Sequence, residues 1–547
     1  MTSPRTRWWL TPALCVLLAI AHTWPLASAP GTLSRNDNGD AQLNEWIMAW
    51  VAHQLPRSPA RLFKANIFYP ASDTLAFSEP LIVPALMGAP LRWLGASPVL
   101  VFNVVLIAGF ALSAWAMAAL IVSWTANRAA GLMAGSMFAF NTHTLTRLAH
   151  IQGIHIWGLP LALLAADRII TRTLVRDAIW LAVWMSAMAY TSGYLLVFGS
   201  VMVAVVLVAR AADWVRRPAR VLSAFALSAA LATVVSLPVY IPYHRVARDQ
   251  GMVRSLANVA EYSATLKGYL ASAGRIHFST WSGRFFRDPV DSFFPGVIVL
   301  ALAGLALWRS LRRREPAETS PATSRRVLML AAIAAAGFVL SLGTRTPVYG
   351  WLFHVFPPMQ GLRAAARFGN LFLLGMAGLA GLGLADLLKR LPAYRATLVG
   401  IVLVAAANVE SLRAPFPYTR FEGIPGIYSI LAEEPGRVVL AETPFYPPQA
   451  VFENAAYVLA STAHWRPLMN GYSGYVPGSY RTYAASFWFF PEDYAIQEMR
   501  KAGVTHVMVH PQRFDQDAGT VMQKVSASPF LERIAIGRNG DALYRLK

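Results

Sequence analysis

The chain has 547 residues, of which 56% are hydrophobic and only 14% are charged, and its mean hydropathy is +0.43. This composition excludes an ordinary soluble protein and is typical of a protein that crosses a membrane many times. The net charge of +20 does not indicate nucleic-acid binding, because the basic residues stand in short stretches between apolar runs.

Crossing about 30 Å of hydrocarbon takes roughly 20 apolar residues. The sequence predicts about eleven spans: Trp8–Ala29, Pro98–Trp124, Ala129–Thr146, Gly153–Ile169, Ala178–Tyr190, Tyr194–Ala209, Val221–Tyr240, Phe293–Trp308, Val327–Leu342, Phe368–Leu388 and Ala396–Leu412. The fifth and sixth are short. Thr191-Ser192-Gly193 between them is compatible with a tight outer turn or with a kink in one long helix.

The first apolar run is expected to remain as a span. Ala27-Ser28-Ala29 resembles a signal-peptidase site, but Pro30 directly after it is unfavourable for cleavage and the run is long for a signal peptide. Cys15, the only cysteine, lies inside this run, so the sequence offers no disulfide and no cysteine metal site.

Basic residues predict the orientation in the membrane. They cluster at every second boundary, at Arg5/Arg7, Arg128, Arg168/Arg172/Arg176, Arg210/Arg216/Arg217/Arg220, Arg309/Arg312/Arg313/Arg314/Arg325/Arg326 and Lys389/Arg390/Arg395. By the positive-inside rule these boundaries are cytoplasmic. With an odd number of spans, the N-terminus is then inside and the C-terminal region outside. The cytoplasmic loops contain no nucleotide-binding motif, which argues against an ATP-driven pump.

The first outer loop, 30–97, contains the most informative acids. Asp37 and Asp40 stand just before a run with a 3.6-residue apolar period, Leu43–Leu55, whose two Trp residues predict an interfacial helix with Asn44 and Glu45 on its polar side. An acid at that position is well placed to activate a substrate hydroxyl, although Gly39-Asp40 is also typical of a helix N-cap. Glu79 is another candidate acid or a cap for the amphipathic run Leu81–Leu94.

Basic and polar side chains mark the other outward segments. Arg363 and Arg367 are four residues apart at the start of the tenth span, which suits either a fork for a phosphate or anchoring to lipid headgroups. The spacings of His143, His150 and His155 do not match a metal-ligand pair on a helix. An acid/base or hydrogen-bonding role near the site is the alternative for these histidines.

The tail from about Arg413 to Lys547 is predicted as a small α/β domain. Arg437–Ala441 and Val504–Val509 have buried-strand patterns, and Pro491–Gly503 is a helix with acids at its start and Gly as its stop. Leu531–Ile536 and Ala542–Leu546, joined through Asn539-Gly540, form a hairpin. The aromatic loop Asn470–Pro477 is either an ordered surface loop or a loop that faces substrate.

Together these features resemble the GT-C superfamily of membrane glycosyltransferases. The shared elements are an acid in the first outer loop, amphipathic helices in that loop, many spans and a C-terminal extracytoplasmic domain. The segments Asn66–Pro70, Leu75–Glu79, Gly361–Phe368 and Gly503–Val509 are similar to segments of bacterial GT-C-like membrane proteins. The expected architecture is a transmembrane GT-C-like domain, 1–412, followed by an extracytoplasmic domain, 413–547.

The resemblance implies an inverting transferase at the outer face of the bacterial cytoplasmic membrane. It would transfer a sugar from a polyprenyl-phosphate-linked donor to a lipid- or envelope-borne acceptor hydroxyl. Asp40 would be the general base, with Asp37 and Glu79 as alternatives, although the two adjacent carboxylates common in this superfamily are absent. The implied substrate-binding residues are Arg363, Arg367, His150, His143, Arg245 and Tyr194. No cofactor is required, and a divalent cation is possible but not indicated.

Two other classes of function remain open. A flippase or transporter of lipid-linked glycans would need ionisable residues at the membrane midplane and internal repeats. Asp167 and Asp386 instead stand near the inner ends of their spans, and the sequence shows no repeat. The other class is a non-catalytic assembly protein with the same overall shape.

Overall fold

The structure, a computed structural model, describes residues 9–252, 254–312 and 321–547 and consists mainly of α-helices. It divides into two compact units. The helical unit comprises Met1–Ala29, Val104–Val239 and Val253–Pro417; the mixed unit comprises Pro30–Asn103, Tyr240–Met252 and Tyr418–Lys547. Arg5, Arg7, Arg313 and Arg314, which are expected at cytoplasmic boundaries, lie outside the described residues.

Six helices of the described chain are long and apolar enough to cross a membrane: Pro98–Thr125, Ile151–Arg172, Pro218–Gln250, Ala322–Ser341, Ala365–Leu388 and Ala393–Ser411. The other five predicted runs are also helical, as Leu10–His22, Arg128–Ala139, Val175–Thr191, Gly193–Ala209 and Val297–Leu311. These have only 12 to 17 residues, and at about 1.5 Å per residue they are shorter than the hydrocarbon layer. The predicted positions of the helices are therefore right, but the count of eleven spans is not confirmed.

A turn separates the fifth and sixth predicted runs. Ser192 is extended, with φ −164° and ψ 137°, and its hydroxyl accepts a hydrogen bond from the Tyr194 backbone N–H. Ser192 therefore ends one helix and caps the next. Of the two possibilities left open by the sequence, the tight turn is correct.

The core of the helical unit is built around the Gly369–Leu388 helix. It packs against the helices Pro321–Ser341, Val297–Leu311 and Arg128–Ala139. A Cβ added at Gly375 would meet the Leu330 carbonyl, and one at Gly383 would meet the Leu302 carbonyl. The small-residue face of this helix is therefore required for close backbone approach. The shorter helices of the unit are Thr142–Leu145, Ala211–Trp214, Leu256–Glu261, Arg275–Thr280 and Pro347–Val355.

Asp167 is a buried acid of this unit, and it is fully engaged in ion pairs. Arg210 and Arg326 both contact its carboxylate, and the Trp124 indole N–H donates to it at 3.1 Å. Asp386 likewise pairs with Arg309. These acids link helices to one another, since each of their charges is matched by an arginine on another helix.

The mixed unit contains a four-stranded sheet. Its strand order is Leu440–Thr443, His506–Val509, Ala542–Leu546 and Leu531–Ile536. The first pair is parallel and the other two pairs are antiparallel. A separate antiparallel pair joins Leu33–Ser34 to Thr419–Arg420. The α-helices of the unit are Gly39–Gln54, Ile82–Trp93, Ile427–Glu433, Ala455–Ala460, Gly478–Phe487, Asp493–Lys501 and Ala518–Ala527.

The predicted α/β pattern of the tail is confirmed. The hairpin lies where the sequence predicts it, and the helix Asp493–Lys501 lies within its predicted bounds. The first strand begins at Leu440 instead of Arg437, and the second begins at His506 instead of Val504. The first outer loop, 30–97, and the start of the helix that follows it share a compact unit with tail residues 418–547. The predicted domain boundary between residues 412 and 413 divides the chain in sequence order, and it stays a prediction.

The Gly39–Gln54 helix is buried on nearly all sides. Asn44 is 4% exposed and Glu45 is 1% exposed, because the helix packs against Ile82–Trp93 and Ala455–Ala460. The prediction that Asn44 and Glu45 form a polar, solvent-facing side is therefore wrong. Its cause is a covering helix about 400 residues further along the chain, which local periodicity cannot reveal.

Candidate active site

Asp40 lies in the first turn of the Gly39–Gln54 helix and is half-buried. The helix is capped by Asn38, whose side-chain oxygen accepts the Asp40 backbone N–H at 2.9 Å. The alternative that Asp40 is the N-cap is therefore wrong. Its carboxylate accepts a hydrogen bond from the Tyr472 hydroxyl at 2.7 Å. The positive end of the helix dipole favours the charged form of an acid at this position.

The two alternative acids have different surroundings. Asp37 forms a two-point ion pair with Arg35 at 3.0 and 3.1 Å, and its side chain is 42% exposed. Glu79 is half-buried and does not cap the Ile82–Trp93 helix, which starts after Leu81 without a side-chain cap hydrogen bond. Asp37 is thus bound to a surface arginine, and Glu79 lies in the loop before a helix that it does not cap.

Glu45 is a buried acid that the sequence pattern did not indicate. Its nearest polar partner is Asn36, whose amide nitrogen, with the amide turned toward the acid, lies 2.9 and 3.1 Å from the two carboxylate oxygens. Burial raises the pKa of Glu45 well above its usual value, and the hydrogen bond from Asn36 only partly opposes this rise. The acid is therefore neutral over a wider pH range than an exposed glutamate.

Arg245 contacts an acid inside the mixed unit. Its guanidinium lies 2.7 Å from the carboxylate of Asp73, which is buried and has a left-handed backbone with φ 53°. The predicted role of Arg245 in substrate binding stays a prediction, and the observed contact fixes the loop around Asp73.

The helical unit contains a recess that we call the basic pocket. It is lined by His143, Thr144, Arg147, His150, Gln152, Gly153, Ser192, Tyr194, Leu195, Phe198, Arg367 and Asn370. It brings together four of the predicted substrate-binding residues: His143, His150, Tyr194 and Arg367. No Asp or Glu stands among these lining residues, so the pocket carries the two positive charges of Arg147 and Arg367.

The basic pocket also has unused hydrogen-bonding capacity. Within the described part of the chain, four buried atoms of its lining have no hydrogen-bond partner: His143 Nδ1, Gln152 Oε1, Arg367 Nε and Asn370 Oδ1. Buried polar atoms in folded proteins are nearly always bonded. The unpaired Nε–H of Arg367 is a donor suited to an anion with several oxygen atoms, such as a phosphate.

Tyr194 organises one wall of the basic pocket. Its hydroxyl accepts the backbone N–H groups of Arg363 at 3.1 Å and Ala364 at 3.0 Å, and the guanidinium of Arg367 lies over its ring at 4.5 Å. The Arg363 guanidinium lies instead over the ring of Tyr262, at 5.2 Å, and Arg363 is not among the lining residues.

The two arginines therefore do not form the predicted fork on one helical face. The α-helix begins only at Gly369, after a 3₁₀ turn at Ala365–Phe368, so the four-residue spacing does not place them side by side. Of the predicted pair, only Arg367 belongs to the basic pocket. A role of Arg363 in substrate binding stays a prediction.

Three charged or amide side chains of the basic pocket, those of Arg147, Gln152 and Asn370, were not predicted as substrate-binding. Arg147 stands three residues before His150 in the histidine-bearing segment, and Asn370 stands three residues after Arg367, so both spacings were available signals. For Gln152 the only available signal was its position two residues after His150. His155, in contrast, is not a lining residue, since its Nε2 lies 3.1 Å from the Val105 carbonyl and its ring packs against Gly109.

Asp40 belongs to the mixed unit and the basic pocket to the helical unit. Over residues 9–252, 254–312 and 321–547, no group of three or more His, Cys, Asp or Glu side chains could hold a metal ion. The candidate residues are therefore an acid at a helix N-terminus and a cluster of arginine, histidine and amide side chains.

Solved structures of two sugar transferases share this fold. The whole chain aligns with 42% of the mycobacterial arabinofuranosyltransferase AftD, with a TM-score of 0.60 and 14% identity. In addition, 93% of the chain aligns with 70% of an oligosaccharyltransferase from Archaeoglobus fulgidus, with a TM-score of 0.51 and 13% identity. The chain thus spans less than half the length of the arabinofuranosyltransferase. No protein-family model and no curated protein matches the sequence.

Proposed function

We propose that this chain, which has the fold of the GT-C superfamily of membrane glycosyltransferases, transfers a sugar from a polyprenyl-phosphate-linked donor to an acceptor hydroxyl. The proposed reaction takes place at the outer face of the cytoplasmic membrane and inverts the anomeric configuration. Both structural neighbours named above are sugar transferases, which supports this class of reaction. The sugar and the acceptor are left open.

The basic pocket is the observation on which this proposal rests. A polyprenyl-phosphate donor presents a phosphate at the membrane surface, and that phosphate becomes the leaving group. Arg147 and Arg367 supply two positive charges, and the lining contains no acid that would repel an anion. Fixed positive charge also stabilises the negative charge that develops on a departing phosphate, which lowers the barrier to its departure.

In the proposed mechanism, Asp40 is the general base. It removes the proton of the acceptor hydroxyl while the oxygen of that hydroxyl attacks the anomeric carbon. The new carbon–oxygen bond forms on the face of the anomeric carbon opposite the phosphate, and the bond to the phosphate oxygen breaks, so that the electron pair leaves with the phosphate. The configuration inverts because attack and departure occur on opposite faces. The polyprenyl phosphate needs no protonation to leave, and the proton on Asp40 is then released to water.

The test is the Asp40→Asn variant, assayed as purified protein with radiolabelled polyprenyl-phosphate sugars. Turnover should fall by a factor on the order of 10²–10⁴, the usual contribution of a positioned base. Stability should change by less than about 1 kcal/mol, because Asn38 is the cap and only the charge near the helix N-terminus is lost.

Asp37→Asn is the matched control. It removes a carboxylate three residues away that is paired with Arg35 at the surface, and turnover should remain near that of the parent protein. A folded Asp40→Asn variant with the parent rate would exclude Asp40 as the base and make Asp37 or Glu79 the next candidate.

A further inference from the structure

The Asp40 carboxylate has a partner from the far end of the chain. The Tyr472 hydroxyl donates to Asp40 Oδ1 at 2.7 Å, across a separation of 432 residues. Tyr472 lies in the aromatic loop Asn470–Pro477, and both residues belong to the mixed unit and are half-buried. A hydroxyl that donates to a carboxylate makes a charge-assisted hydrogen bond, about twice as strong as one between neutral groups.

The aromatic loop is held firmly at the end that leads into Tyr472. The Asn470 side chain bonds both backbone groups of Glu442, accepting from its N–H at 2.7 Å and donating to its carbonyl at 3.0 Å. The Asn454 amide donates to the Gly471 carbonyl at 3.3 Å. A Cβ added at Gly471 would lie 2.5 Å from the ring of Phe68. The position of Tyr472 is therefore set by the sheet and by the first outer loop together.

The helix that presents Asp40 also approaches the tyrosine closely. A Cβ added at Gly39 would lie 3.2 Å from the Ala455 Cβ and 3.4 Å from the Tyr472 ring. Glycine at this position lets the first turn of the helix pack against the tail segment. Asp40 and Tyr472 are thus brought together by backbone packing on both sides.

We propose that Tyr472 is a positioning residue for Asp40: its hydroxyl orients the carboxylate and stabilises the charged form that can accept a proton. This inference rests on the proposed function, because it gives Tyr472 a purpose in catalysis through the base. Under this proposal the C-terminal segment contributes a side chain, that of Tyr472, to the active site.

The experiment measures the protonation of Asp40 directly and needs no sugar donor. Purified full-length protein is treated with a water-soluble carbodiimide and an amine over a range of pH, and modification of Asp40 is quantified by mass spectrometry. Carbodiimide reacts with the protonated carboxyl group, so labelling falls as the acid ionises. In Tyr472→Phe the midpoint of this fall should move upward by about one pH unit or more, because a hydrogen bond to the charged form is lost.

Tyr475→Phe is the matched control. It removes another hydroxyl of the same loop, which donates to the Gln250 carbonyl at 2.6 Å and not to Asp40. Its labelling midpoint for Asp40 should equal that of the parent. An unchanged midpoint in Tyr472→Phe, or an equal shift in both variants, would overturn the inference and leave Tyr472 a packing residue.

Labelling measures the effect of Tyr472 on the protonation of Asp40, whereas turnover tests whether Asp40 is the base. If a donor supports turnover, the acidic side of the pH–rate profile of Tyr472→Phe should move upward by the same amount as the labelling midpoint. An Asp40→Asn variant that retains parent turnover would overturn the proposed base. The labelling midpoint would still decide whether Tyr472 controls the carboxylate.

Discussion

Two acids five residues apart on one helix have different surroundings. Asp40 is half-buried at the helix N-terminus and accepts a hydroxyl donor, which favours the ionised form. Glu45 is fully buried beside an amide, and burial raises its pKa. Asp40 is therefore suited to accept a proton, and Glu45 has a structural role. The assignment of Asp40 as the base agrees with these surroundings.

The basic pocket makes a prediction about donor affinity. In Arg147→Ala and in Arg367→Ala, the apparent affinity for a polyprenyl-phosphate donor should fall about tenfold or more. Each variant loses a charge-assisted hydrogen bond that contributes roughly 1.5–3 kcal/mol. Arg367→Lys should restore only part of the affinity, because lysine cannot offer a two-point contact to phosphate. Titration of the purified protein with donor, read out by turnover or by direct binding, measures the change.

Two further arginines make this test specific. Arg284→Ala removes an exposed arginine of the helical unit that stacks on Phe285 outside the basic pocket, and it should leave donor affinity unchanged. Arg363→Ala should weaken binding less than Arg367→Ala, since its guanidinium lies over Tyr262. Unaltered affinity in both pocket variants would mean that these arginines only anchor the helices.

At the residue scale, the sequence indicated candidate residues that have a local signal, but not contacts between residues far apart in the chain. His143, His150 and Arg367 could be proposed because the polar residues of this apolar chain stand mainly in its outward segments. The partnership of Asp40 with Tyr472 could not, because its members are 432 residues apart and each has an ordinary local environment. The burial of Glu45 was hidden for the same reason.

At the scale of secondary structure, the sheet of the mixed unit brings a histidine between two acids. His510 follows the His506–Val509 strand, and its ring nitrogens lie 2.7 Å from the Glu442 carboxylate and 2.9 Å from that of Asp541. The Tyr428 hydroxyl donates to Glu442 at 2.6 Å, and the His510 ring stacks on Tyr457 at 4.8 Å. These buried charges thus join three neighbouring strands at one end of the sheet.

This cluster predicts a stability that depends on pH. Burial of His510 disfavours its charged form, but hydrogen bonds to Asp541 and Glu442 and the charges of both acids outweigh that effect and raise its pKa from 6.5 to about 8. A raised folded-state pKa contributes stability that is fully present below pH 6.5 and is lost as the pH rises through about 8. The expected loss is about 2 kcal/mol. Amide hydrogen exchange of the strands at pH 6 and pH 9, corrected for intrinsic rates, measures it.

His510→Gln is the appropriate control for this prediction. Glutamine can still donate a hydrogen bond but does not titrate, so the variant should be less stable at pH 6 and its strand protection should no longer change between pH 6 and pH 9. Parent protein whose strand protection is the same at both pH values would show that His510 does not hold a proton between the two acids.

The secondary structure was predictable wherever a local signal existed. Periodic apolar runs, the Gly503 stop and the Asn539-Gly540 turn each act over a few residues, and the corresponding elements form as expected. Helix length was less predictable. The apolar run predicted to reach Thr146 is broken after Ala139, where the helix Arg128–Ala139 ends and the Asn141 side chain caps the next helix.

At the scale of the whole molecule, the chain shares its fold with solved structures of an arabinofuranosyltransferase and an oligosaccharyltransferase. The grouping of residues 30–103 with residues 418–547 in one compact unit was not predicted. Chain order suggested a boundary at 412/413, whereas the packing of the Gly39–Gln54 helix depends on the Ala455–Ala460 helix. The first outer loop and the tail therefore have to fold together, which places Tyr472 beside Asp40.

The last prediction concerns orientation in the membrane and rests on the alternation of arginine clusters. In a background where Cys15 is replaced by Ser, single cysteines are introduced at Arg216 and at Asp515, both exposed positions. A membrane-impermeant thiol reagent added to intact cells should label the cysteine at 515 and not the one at 216, because clustered arginines are retained on the cytoplasmic side. Permeabilised cells provide the control, since both cysteines should then react. Labelling of position 216 in intact cells would reverse the orientation and place the mixed unit, with Asp40 and Tyr472, on the cytoplasmic side, where the proposed reaction at the outer face could not occur.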